Sequence, residues 1–150
     1  MVSAHDVAAY ILDRQGPLSA MKLQKLVYYA QAWSTVWDDQ PLFPERIEAW
    51  ANGPVVRELY DLHRGQFDVR GWPRGNPDAL NHEQRSTVDA VLEYYGWRNA
   101  QALSDMTHKE DPWRVAREGL PDGVRGNREI ILASLSEYYS SLQDDGGEAE

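Results

Sequence analysis

Residues 19–37 read SAMKLQKLVYYAQAWSTVW, and their spacing decides the fold. Leu23, Leu26, Val27, Ala30, Trp33 and Trp37 recur at three- and four-residue steps, which places them on one face of an α-helix. Lys22, Lys25 and Gln31 fall mostly off that stripe. Ser19 stands where a side-chain oxygen can cap the first free amide groups. A helix of about 19 residues spans roughly 28 Å, the width of a small domain. This is the expected central helix, with Tyr29, Trp33 and Trp37 in the core.

The flanking segments repeat the helical pattern. Ser3 with Asp6 forms a capping pair ahead of Ala4, Val7, Ala8, Ile11 and Leu12, and Gly16-Pro17 ends that run. After the central helix, Pro41 and Pro44 make DDQPLFPER a loop. Arg46–Ala51 is a strand candidate, with Ile47 and Ala49 alternating with Glu48 and Trp50. Asn52-Gly53 then turns the chain, and Pro54 suits a first helical position. Val55, Val56, Leu59, Tyr60 and Leu62 give an amphipathic helix that stops near Gly65. The turn-rich GQFDVRGWPRGNPDALN holds a second short strand near Phe67–Val69, expected to pair with the first.

Helical patterns return for the rest of the chain. Asn81 with Gln84 caps a run through Val88, Val91, Leu92 and Tyr95. Asn99 opens a shorter one, and Asp111-Pro112 reads as an N-cap with a first-position proline. Asn127 opens the last helix, with Ile131, Leu135, Tyr138 and Leu142 on one side. The expectation is a mainly α, single compact domain over residues 1–143, of about seven helices around a long central one. A small two-stranded β element accompanies it, and an acidic tail over 144–150 is expected to be disordered.

The 150 residues suit one domain, and 42% hydrophobic content with six Trp and eight Tyr supplies a core without a staple. Cysteine is absent, which removes disulfides, thiolate catalysis and Cys-held metals. The N-terminus lacks a signal-peptide pattern, and no run reaches the roughly 18 apolar residues of a membrane span. These features read as a soluble, cytoplasmic protein. The net charge of -9 repels phosphate backbones and argues against nucleic acid as a partner.

Candidate chemistry is sparse. His5, His63, His82 and His108 show no paired metal-ligand spacing. His108, Glu110 and Asp111 cluster in MTHKEDPW, yet helix capping explains Asp111-Pro112 without catalysis. Asn52-Gly53 before a helix start could cradle an anion, but one glycine and no nearby lysine favour a plain turn. No nucleotide-binding or nucleophile motif occurs. We expect no catalytic residue, metal, cofactor or small-molecule ligand. Arg70 and Arg74 with Trp72, in RGWPRGNP, combine the residue types enriched at protein-binding hot spots.

Three pieces in this order and spacing, MKLQKLVYYAQAW, IEAWANGPVVRELY and LSDMTHKEDPW, resemble the Panacea antitoxin domain, also known as a phage-associated GepA-like domain. The likeness runs from about Ala4 to Tyr139. It implies a mainly α antitoxin of a toxin–antitoxin system, connected with phage defence, that neutralises a co-encoded protein toxin by direct binding. Alternatives are an adaptor that hands the toxin to an energy-dependent protease, and a nucleic-acid-binding regulator. Some members carry a helix-turn-helix extension, for which no residues remain here; this chain is expected to be the stand-alone form.

The family positions matched in the first piece are Lys22, Leu23, Lys25, Leu26, Tyr28, Tyr29 and Trp33. Those in the second are Ala49, Trp50, Gly53, Pro54, Val55 and Tyr60, and those in the third are Thr107, His108, Asp111 and Trp113. They are expected to hold the fold. A domain that meets many toxins should vary its contact surface, so Arg57, Glu58, Asp61, Arg70, Trp72 and Arg74 are the expected toxin contacts. Self-association is left open.

Overall fold

Helix α2 (Ala20–Trp37) is the axis of the molecule. The structure, a computed structural model, describes residues 1–149, with side chains as far as Gln143. Helices α1 (Ala4–Gln15), α4 (His82–Tyr95), α5 (Ala100–His108) and α7 (Leu132–Ala149) pack around α2, with α3 (Arg57–His63) and α6 (Asp111–Ala116) at the side. Seven α-helices among the described residues make the domain mainly α, as expected. The expected acidic, disordered tail over 144–150 falls outside the described side chains.

Because neighbours surround α2, its buried surface extends well beyond the apolar stripe. Leu23, Leu26, Val27, Tyr28, Tyr29 and Ala30 are buried, and so are Gln24, Lys25 and Gln31. Each polar group then needs a partner, since an unpaired buried one costs about 1–3 kcal/mol. Gln31 Oε1 accepts from the amides of Leu42 and Phe43 at 2.7 and 3.2 Å, and its Nε2 donates to Phe43 O at 2.8 Å. One glutamine thereby pins the proline-rich loop. Trp37 departs from expectation: it stacks on Trp33 at 4.9 Å but remains 45% exposed.

The β content exceeds the two strands expected. Strand β2 (Ile47–Trp50) lies between β3 (Gly53–Val56) and β5 (Glu129–Ile130) in an antiparallel three-stranded sheet. A separate pair joins β1 (Leu18–Ser19) to β4 (Asp68–Val69), so the second expected strand pairs with the two residues just ahead of α2 and not with β2. Pro54 is therefore a strand residue, and α3 begins three residues later. The register sets Pro54 opposite Ala49, one step from the hairpin end, where a strand N–H would face away from β2. An edge position of that kind tolerates a residue without an N–H.

The end of the chain shows the same kind of difference. Residues 129–130 join the sheet before α7 starts at Leu132, so Asn127 does not open that helix and Ile131 is 52% exposed. The capping boxes at Ser3/Asp6 and Asn81/Gln84, and the caps at Ser19 and Asn99, form as expected. At α6, Glu110 and not Asp111 holds the cap position, without a side-chain cap bond. Asp111 is the first helical residue and lies 3.7 Å from Arg114.

Candidate functional site

The three sequence pieces meet at the β2–β3 hairpin. Its carbonyls are taken one after another by side chains from other elements. Arg117 Nη1 donates to Ala49 O at 3.1 Å, Trp113 Nε1 to Trp50 O at 2.8 Å, and Ser104 Oγ to Asn52 O at 2.6 Å. Lys25 Nζ donates to Pro54 O at 3.3 Å. Gly53 adopts φ +122°, and a Cβ there would lie 2.6 Å from Lys25 Cε and 3.1 Å from Thr107 Oγ1. Glycine is required at this point both for its backbone and for the approach of α2 and α5.

Among the described residues the outer edge of β3 has no strand partner. Gln24 covers it instead: Val56 N donates to Gln24 Oε1 at 2.8 Å, and Gln24 Nε2 donates to Val56 O at 3.2 Å. The same Nε2 lies 3.0 Å from His63 Nε2. An amide nitrogen only donates, so His63 accepts there and is held neutral. Burial, and then the charge of Lys25, pushes His63 below the usual imidazole range. Burial also pulls Lys25 down to about 8. His108, stacked on Trp113 at 4.2 Å, is lowered by burial and by Lys25.

Glu110 faces a different set of partners. Its carboxylate accepts from Tyr29 Oη at 2.7 Å and Tyr139 Oη at 2.9 Å, and Tyr28 and Tyr139 hydroxyls lie 2.9 Å apart. Burial raises the Glu110 carboxyl, against the two phenol hydrogen bonds that lower it. His108, Glu110 and Asp111, adjacent in sequence, thus serve a stacked pair, a tyrosine cluster and a surface helix respectively. They do not assemble an acid–base site.

The six expected toxin contacts fall on α3 and on the 69–74 loop, and five of them are exposed. Arg57, Glu58 and Asp61 are exposed on α3, with Arg57 Nε 3.3 Å from Asp61 and its guanidinium 5.9 Å from the Trp50 ring centre. Beneath α3 runs a series of ring contacts: Trp50–Tyr60 at 4.7 Å, Tyr60–His63 at 5.4 Å and His63–Trp72 at 6.2 Å. Trp72 Nε1 donates to His5 Nδ1 at 3.1 Å. This row ties the 69–74 loop to α3. Trp72 is only 8% exposed, so within the six it is a strut, while Arg70 and Arg74 are exposed. An open groove of about 500 Å³ lies between Leu62 and Gln66 on one side and Val69 to Arg74 on the other.

Spatial convergence also builds a group the sequence did not suggest. His5, Glu45 and Glu58 bring one ligand atom each within 4.8 Å of one another. The indole N–H, a donor only, points at His5 Nδ1, which leaves the ring hydrogen on Nε2. Glu45 already accepts from Ala4 N at 2.9 Å. His5 Nδ1 and one oxygen of Glu45 are thus already engaged within the protein.

Other surface and buried groups were missed as well. Trp97 and Tyr94 are 72% and 58% exposed, with the Arg98 guanidinium 4.6 and 5.1 Å from their ring centres. The sequence signal was the WR pair after Gly96, where a Cβ would meet Leu92 O at 2.4 Å in the tight turn. Arg117, buried at 3% exposure, carried no signal because its role depends on a sheet with unexpected strands. Among the described residues no helix is long and apolar enough to cross a membrane.

Comparison with known proteins places the chain beside an antitoxin family. A profile of the family described as antitoxin SocA-like, Panacea domain, matches residues 23–114. The protein named Antitoxin SocA from Caulobacter vibrioides (strain NA1000 / CB15N) is 29% identical over 141 residues, covering 79% of this chain and 72% of the relative. No solved structure matches.

Proposed function

Because this chain belongs to the SocA-like antitoxin family built on the Panacea domain, we propose that it neutralises a co-encoded protein toxin by direct binding, without catalysis. One observation carries this reading. Groups with perturbed ionisation ordinarily point to an active site, but here Lys25, His63 and Glu110 are each hydrogen-bonded inside the scaffold. Lys25 holds Pro54, His63 holds Gln24 and Glu110 holds two tyrosines, while His108 stacks on Trp113 with its Nε2 buried and without a hydrogen-bond partner among the described residues. The groove between α3 and the 69–74 loop is lined by none of them. The exposed charged side chains of α3 and the 69–74 loop form a face suited to a macromolecule.

Co-expression with the neighbouring toxin tests the reading. Rescue of growth together with a stable co-purifying complex is expected. Rescue that disappears when the energy-dependent proteases are deleted would show an adaptor instead. Rescue with no complex in either background would overturn direct binding.

A further inference from the structure

Building on the reading that the partner is a protein, we propose that the groove between α3 and the 69–74 loop docks an acidic segment of that partner. Its carboxylates meet Arg70 and Arg74, and one apolar side chain rests on the Leu62, Val69 and Pro73 floor. The groove volume, about 500 Å³, is of the order that buries a compact ligand group. Leu62 is 40% exposed at its edge, an apolar surface with nothing upon it.

The charge distribution selects the occupant. The chain carries net charge -9, yet arginines gather here. Arg74 lines the groove, and Arg64 and Arg70 are exposed in the two chain segments that supply its walls. Among the described residues none of the three lies within 4.0 Å of a carboxylate, whereas Arg57 is engaged by Asp61. Asp68 and Arg70 both flank the inward-facing Val69, while the residues lining the groove include the cation Arg74 and no carboxylate. Unpaired guanidiniums beside an apolar floor recognise a carboxylate next to a hydrophobic residue.

The groove wall is set in advance. Trp72 is fixed by its bond to His5 and by the His63 edge contact, so docking orders few side chains. The same burial excludes the common mode of single-stranded nucleic-acid binding, which needs a free aromatic face for base stacking.

The full chain and two surface variants, Arg70→Glu with Arg74→Glu, and Leu62→Ala, provide the test. The probe is an array of short immobilised peptides, each with one Leu, Ile, Phe or Trp among Asp and Glu, beside counterparts with Lys for each acid. Binding to acidic members alone is expected, weakened about tenfold or more in the charge-reversed variant and less in Leu62→Ala, with unchanged circular dichroism. Equal binding by the variant, or none by the wild type, overturns the proposal. Preference for oligothymidylate over the peptides, or a dimer that the charge reversal dissociates, overturns it in favour of nucleic acid or a second copy. Toxin co-purification is read in parallel. Loss of peptide binding with no toxin complex would leave the groove standing and remove the antitoxin mechanism. An intact toxin complex with the charge-reversed chain would do the reverse.

Discussion

Gln24 and Val56 exchange two hydrogen bonds, at 2.8 and 3.2 Å, so that a helix side chain completes the open edge of a strand. His63 accepts a third bond from the same amide. Protonation of His63 would set two donors face to face and disturb the clamp. Its folded-state pKa is depressed, so its contribution is fully present above the unfolded value near 6.5 and is lost as pH falls through the folded one. Urea unfolding should show stability declining below that pH, with a shallower decline in His63→Phe. An unchanged slope would contradict the clamp. Gln24→Leu should cost about 2–4 kcal/mol at neutral pH by stranding both groups of Val56.

Gly53→Val should be the most damaging change at the hairpin. It combines a β-branched side chain at φ +122° with contact on Lys25 Cε. Strain and overpacking of about 1–3 kcal/mol each would lower folded yield. A fully folded Gly53→Val protein that no longer neutralises the toxin would instead make the hairpin a contact site.

Lys25 gives the scaffold an alkaline signature. A buried ammonium whose pKa falls to about 8 from 10.5 binds fewer protons folded than unfolded. Stability therefore rises with pH from about 8, by roughly 2 kcal/mol over one and a half units. The tyrosines, held above their ordinary value by burial, oppose this beyond pH 10. Lys25→Met should abolish the rise between pH 8 and 9.5, measured by urea titration. Persistence of the rise would assign it elsewhere.

Trp72 and Arg70 were expected to act alike, but the structure separates them. Trp72→Ala should cost about 3–5 kcal/mol, since it removes a buried ring and the His5 bond. Arg70→Ala should stay within about 0.5 kcal/mol of wild type while weakening partner binding. Thermal denaturation beside a pull-down distinguishes the two; equal stability of both variants would contradict the strut role.

The helices were legible because Leu23, Leu26, Val27 and Ala30, or Val88, Val91 and Leu92, state a period that local geometry must obey. Caps at Ser3, Ser19, Asn81 and Asn99 were legible for the same reason: their partners lie three residues away. The β residues were harder. Pro54 and Val55 suit a helix start as well as an edge strand, and the choice rests on Gln24 and Lys25, some thirty residues distant in sequence. Glu129 and Ile130 pair with β2 across more than eighty residues, with no local alternation to announce it. The exposed face was half legible: Arg57, Glu58, Asp61, Arg70 and Arg74 lie on the surface as expected. Burial of Trp72 depended on His5 at the other end of α1.

The central claim, neutralisation by direct binding, is tested most directly by titrating the purified toxin with the purified chain while following toxin activity. A linear loss of activity that ends at a fixed small-integer ratio, with a complex of that composition by gel filtration, is the predicted result. Full inactivation by a small fraction of an equivalent, or unchanged toxin activity at excess chain, would contradict it.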